Sequence, residues 1–159
     1  MAKRRGVWKY RLDRIFTHQM AVAFVAPPPA DGLTLMDGEF VCGHLSPDGV
    51  LTINAGYAWD GCSPKWRIGD VLIGTPDAAP DEDTGLSKTY YASLVHDILC
   101  QFEAVLTPHL PRYHIDTEFY YRLITDKFGQ AKLYYGAVRV FAWARVLYPV
   151  LIGWWKRRG

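Results

Sequence analysis

The sequence predicts an α+β domain: an N-terminal antiparallel β-sheet, then an antiparallel helix pair and a long apolar C-terminal helix. Three observations predict it. Up to about residue 59, β-branched and aromatic residues cluster without helical spacing. From Ser87 onward, apolar residues recur three and four positions apart. Strands are therefore grouped first and helices afterwards, the order of an α+β domain rather than of alternating βαβ units. With 159 residues, half of them hydrophobic, the chain is sized as a single domain, 1–159, able to bury a substantial core.

In the first part, about 7–59, "VWKYRLDRIF" and "HQMAVAFVA" read as strands, and "PPPADG" (27–32) breaks the pattern. "GEFVCGHLSPDGVLTINAGYAW" reads as two strands joined by the turn "SPDG", a hairpin. Residues 60–86, rich in Gly, Pro and Asp, read as a polar loop. Its acidic stretch Asp77–Asp83 lacks the alternating ligands and closing Glu of a calcium-binding EF-hand loop. The helix pair is expected over 87–129. Ser87 is placed as the cap of the first helix, which carries Leu94, Ile98 and Phe102 at helical spacing. "HIDTEFYYRLITDKFG" forms the second, closed by Gly129.

The apolar helix is expected over about 130–155. Leu133 to Trp155 is long enough to cross a bilayer. Arg139 and Arg145 would each cost roughly 2.5–3.5 kcal/mol at mid-membrane, and Pro149 adds a kink. The expectation is a helix docked on the core or on a partner, with its arginines at the rim. Against it stands an interfacial helix, because "WWKRR" sets aromatic rings beside cations.

Composition excludes several classes. A formal charge of +2 does not imply nucleic acid, and neither a P-loop, a dinucleotide fingerprint nor a nucleic-acid motif is present, so no nucleic-acid partner is expected. The basic clusters Lys3-Arg4-Arg5 and Lys156-Arg157-Arg158 suit solvated ends or an anionic surface. Three cysteines without a C-x-x-C pair suggest neither a disulfide scaffold nor a zinc knuckle. Asp13, Arg14 and His18 interrupt any apolar run near the N-terminus, so no signal peptide is expected and the host cytoplasm or a virion is the expected location.

The chemistry concentrates in "WDGCSPKW" (59–66), the pair His96-Asp97 and "RYHID" (112–116). Neighbours on a helix point about 100° apart, so His96 and Asp97 face different elements. Arg112 and Asp116 are four apart and share a helix face. His109 and His114 flank a proline loop and are expected at the surface; the histidines together, His18 and His44 included, show no metal spacing. The expectation is that Asp97, with Asp60, anchors the "WDGCS" loop, while His96 faces Asp116 on the second helix. Such a network can serve as a brace without any reaction.

In order and spacing, "Gly56-Tyr57 … Asp60-Gly61-x-Ser63 … His96-Asp97 … Arg112-x3-Asp116-x2-Phe119" resembles the phage and prophage family called domain of unknown function 1353, over about residues 8–140. The resemblance implies a phage origin and this fold layout, and it supplies no activity. The acidic stretch near 77–83 and the apolar C-terminus look less typical of the family. A more distant likeness is to secreted phospholipase A2, which also places a glycine-containing loop before a His-Asp pair on a helix. That likeness implies His96 as general base, Asp116 as the carboxylate orienting it, Asp97 as a calcium ligand with Asp60 nearby, and loop carbonyls around Gly61 and Ser63. Its disulfides are missing here, and its glycine-rich calcium loop has no counterpart. In the bracing arrangement, Arg112 instead pairs with Asp116 or Asp97 and ties the two helices.

The sequence thus leads to a phage accessory or virion-associated protein with a polar centre of unestablished activity. One rival is a metal-assisted, calcium-type hydrolase of an ester or phospholipid. The other is a structural interaction module in phage assembly, touching phage proteins or a membrane surface through its C-terminal helix. A hydrolase requires an open cleft at His96, and an interaction module requires an exposed apolar stripe on residues 133–155.

Overall fold

The computed structural model describes residues 8–62, 65–68, 71–74, 78–82 and 84–155. It is α+β. The strands β1 (Tyr10–Arg11), β2 (Phe16–Gln19), β3 (Leu33–Asp37), β4 (Phe40–Leu45), β5 (Val50–Ile53), β6 (Ala58–Trp59), β7 (Lys65–Ile68) and β8 (Val71–Gly74) come first. The helices α1 (Tyr90–Gln101), α2 (Glu103–Leu106), α3 (Arg112–Thr125) and α4 (Ala131–Trp155) follow. The main sheet is antiparallel in the order β2-β5-β4-β3, and β1-β6 and β7-β8 form two-stranded pairs.

The "SPDG" hairpin is as read from the sequence. Gly49 takes φ +79°, its N–H donates to the Ser46 carbonyl, and the Ser46 hydroxyl accepts from the Val50 N–H. That turn fixes the register Leu45↔Leu51 and Gly43↔Ile53, which sends Leu45, Leu51 and Ile53 into one buried cluster with Leu35. On that cluster α1 lays Leu94, Val95, Ile98 and Leu99. Gly43 permits the close approach: a Cβ there would collide with the Thr52 carbonyl oxygen and press on Ile98 Cδ1 at 3.2 Å.

An aromatic group fixes the start of α1. Trp59 donates its indole N–H to the Ser93 hydroxyl at 3.1 Å and stands edge-on to Tyr90. Phe16 stacks on Tyr91. A second cluster lies further out, where Phe119 and Leu123 of α3 meet Ala131, Tyr134 and Val138 of α4, with Ala92 of α1 and Cys62. Helix α3 thus packs between α1 and α4.

Several expectations need correction. The stretch 60–86 holds the β7-β8 pair rather than loop alone; "KWRI" and "VLIG" flank a Gly-Asp dipeptide, the composition of a tight hairpin. Ser87 is not the cap of α1. Thr89 occupies that place, and the Ser87 hydroxyl instead accepts the Thr89 N–H. Nor does Gly129 close α3. Lys127 takes the left-handed conformation, φ 53°; its N–H donates to Ile124 O while Phe128 N–H reaches back to Leu123 O, a Schellman ending. The C-terminal helix is present over 25 residues. The long apolar character expected of it is not found: Arg139 pairs with Asp116, Arg145 lies 3.9 Å from Glu103, and among the described residues no helix is long and apolar enough to cross a membrane.

A lysine in the left-handed region costs about 1–2 kcal/mol relative to glycine. Lys127→Gly should therefore raise the free energy of unfolding by about 1 kcal/mol once the extra freedom of the unfolded glycine is subtracted, and the denaturant midpoint with it. Urea unfolding of the two proteins measures it.

Candidate functional site

Helix α3 carries two carboxylates with no exposed surface, Asp116 and Glu118. Two residues apart on a helix, they point about 200° apart, to opposite sides.

Asp116 faces α1 and α4. Its Oδ1 accepts from His96 Nε2 at 2.9 Å and from Arg112 Nε at 2.8 Å, and its Oδ2 accepts from Arg139 Nη1 at 3.0 Å. The donors come from α1, α3 and α4, one from each. Arg112 also reaches Glu103 at 3.1 Å, and Arg145 lies 3.9 Å from the same carboxylate. His96, 5% exposed, rests on the Phe119 ring and has the Cys100 sulfur 3.5 Å from Nε2 and 3.8 Å from Nδ1. Arg139 lies over the Tyr113 ring.

Burial lowers the His96 pKa, but the Cys100 sulfur and the Asp116 carboxylate outweigh it, and the value is pushed up to about 10. Burial acts on Asp116 in the opposite direction to its partners. His96 and Arg112 prevail and hold the carboxyl below its ordinary range. The two shifts describe one charge-assisted contact, stable when His96 is protonated and Asp116 ionised.

Glu118 faces the sheet. Its Oε1 lies 2.7 Å from His18 Nε2, and its Oε2 accepts the backbone N–H groups of Ala21 and Val22 at 2.8 and 2.9 Å. Arg122, over the Phe16 and Tyr91 rings, closes this second knot through Asp126 and a 3.5 Å approach to His18 Nδ1. Sequence reasoning missed Glu118 and set His18 aside. The available signal was position: Glu118 is three residues after Ile115, inside the buried stripe Ile115–Phe119–Leu123.

Asp97, half-buried, points elsewhere than His96: after burial, its charge is the main influence raising the Tyr57 hydroxyl pKa. Asp60 is exposed and Gly61 buried; Ser63, Asp77 and Asp83 lie outside the described residues. His109 and His114 are half-buried rather than at the surface, His109 beside the Ala26 carbonyl at 3.1 Å.

Compared with known proteins, the chain matches no family model, no curated protein and no solved structure. The site must therefore be read from its own geometry. Among the described residues no group of three or more His, Cys, Asp or Glu side chains is disposed to hold a metal ion. Among the described residues, clefts of about 410, 170 and 180 Å³ lie on the surface. They are lined around Arg14 and Tyr90, around Lys88 and Arg122, and around Asp37 and Gln101. None of the three is lined by His96, Asp97 or Asp116. Chemically, the Asp116 cluster is a closed joint: each carboxylate oxygen is occupied by a donor from a helix it holds.

Removing one partner of a buried pair costs about 3–5 kcal/mol, so Asp116→Ala should lose about that much in urea unfolding. Arg139, with its side chain 36% exposed, is screened by solvent, and Arg139→Gln should cost about 1 kcal/mol or less. The pH dependence follows from the two shifts. The His96 contribution is complete below its ordinary value of 6.5 and fades as pH rises toward about 10. The Asp116 contribution is complete above its ordinary 3.8 and fades as pH falls through its depressed value. Thermal melts across pH should show His96→Gln flattening the alkaline limb and making the acid limb shallower, since Arg112 then lowers the carboxyl without His96, and Asp116→Asn flattening both.

Proposed function

We propose that this chain is a non-catalytic interaction module, in which the Asp116 joint fixes the helices and α4 presents the contact surface. The observation that carries the reading is the outer side of α4, where Leu133, Val140 and Trp143 are 68%, 62% and 67% exposed. On a helix tied to the domain through Arg139, apolar side chains left this open mark a surface awaiting a partner. The motifs "Asp60-Gly61-x-Ser63", "His96-Asp97" and "Arg112-x3-Asp116" resemble the phage family named above. That resemblance supports a phage accessory or virion-associated setting, in the host cytoplasm or in the virion.

One observation favours a second reading. The 2.9 Å contact of His96 with Asp116 is the arrangement in which a carboxylate orients a general base. A calcium-type hydrolase would use it with Asp97 as metal ligand. Against this stand the 5% exposure of His96 and the two arginines that already neutralise Asp116.

Calcium and zinc titration by calorimetry, on the wild type and Asp97→Ala, separates the readings. The interaction module predicts no saturable heat for either metal in either protein. Saturable binding lost in Asp97→Ala, with release of acid from an ester or phospholipid that His96→Gln abolishes, would overturn it in favour of the hydrolase.

A further inference from the structure

The open side of α4 has a regular pattern. Leu133, Gly136, Val140 and Trp143 succeed one another at three, four and three residues, which places them on one stripe. A Cβ on Gly136 would meet nothing within 4 Å. The sequence continues the same spacing through Leu147, Val150 and Trp154. Tyr134 and Val138, by contrast, are buried against α3.

Charge decides what covers the stripe. From Lys127 to Gly159 the sequence has seven Lys or Arg, Lys127 to Arg158, and no Asp or Glu. A second copy of the chain would lay two such helices side by side, each bringing Lys132 and the run Lys156-Arg157-Arg158 and neither bringing an acidic residue of this stretch to pair with them, a repulsive arrangement. An anionic lipid surface suits both features. Its acyl boundary accepts Leu, Val and Trp, and its headgroups accept cations. Trp154-Trp155 directly before Lys156-Arg157-Arg158 is the composition of such a boundary. Arg139 is bound inward to Asp116, and Tyr134 and Val138 are buried on the same helix, so α4 keeps its inner side on the domain and would lie along the surface rather than through it.

We infer that the outer face of α4 docks on an anionic lipid surface, lengthwise, with the basic C-terminal cluster at the headgroups. The inference rests on the interaction-module reading and names its partner.

The test is cosedimentation of the full chain with phosphatidylcholine vesicles, with and without phosphatidylserine, alongside the variant Leu133→Ser/Val140→Ser/Trp143→Ser. These side chains are exposed, so the variant should melt where the wild type does. The expected result is binding to the anionic vesicles that falls about tenfold or more without phosphatidylserine, weakens in high salt and is lost in the variant. Brominated acyl chains should quench wild-type tryptophan emission on the same vesicles, a readout that needs no variant. Binding that persists in the variant without such quenching would overturn the inference, leaving only electrostatic attachment of the tail. Absence of vesicle binding would also overturn it. If the wild type then sediments as a dimer and the variant as a monomer, the interaction module survives with a second copy as partner. If both are monomers and the variant melts well below the wild type, the face is part of the fold and both readings fail.

Discussion

A carboxylate with no exposed surface has to be neutralised where it lies, and Asp116 is neutralised by three donors from three helices. This constraint organises the helical half of the molecule. His96 must present Nε2 toward α3, which orients α1 about its axis and sends Leu94, Ile98 and Leu99 onto the sheet. Arg139 must face inward, which orients α4 and leaves Leu133, Val140 and Trp143 outside. Glu118, on the other side of α3, does the equivalent for the sheet half by holding His18 and the backbone at Ala21 and Val22. One helix with two buried charges facing opposite ways thus joins sheet, α1 and α4.

What the sequence revealed depended on range. Local signals were legible: the "SPDG" hairpin is set by one glycine and one serine within a few residues. The pairing of His96 with Asp116 was legible too, since an apolar run around His96 and the four-residue spacing of Arg112 and Asp116 both call for partners. Arg139 was visible only as a charge in an apolar helix. That its partner is Asp116, 23 positions back, follows from packing that no window of sequence contains. The ending of α3 misled because glycine is the usual left-handed residue, while here the bond from the Phe128 N–H to Leu123 O and the packing of Phe128 on the second cluster hold Lys127 in that conformation. The β7-β8 pair was obscured by the Gly, Pro and Asp on either side of two four-residue runs, the first of which alternates Lys65 and Arg67 with Trp66 and Ile68.

The same geometry separates the two candidate seats of function. Reactivity needs a nucleophile or base that a substrate can reach, and His96 is covered, bonded and flanked by Phe119 and Cys100. Binding needs surface that gains by leaving water. The outer stripe of α4 offers that surface, and the inward Arg139, with Tyr134 and Val138 buried against α3, keeps it outermost. The polar centre thereby serves the surface: it sets which side of α4 is shown.

The central claim is that Asp116 couples α1, α3 and α4 rather than merely stabilising its own helix. Hydrogen exchange of Asp116→Asn against the wild type tests it most directly, because the variant keeps the side-chain size and removes the charge that the three donors share. The account predicts that amides in α1 around His96 and in α4 around Arg139 lose protection together with those of α3. Loss confined to α3, with α1 and α4 exchanging as in the wild type, would contradict it.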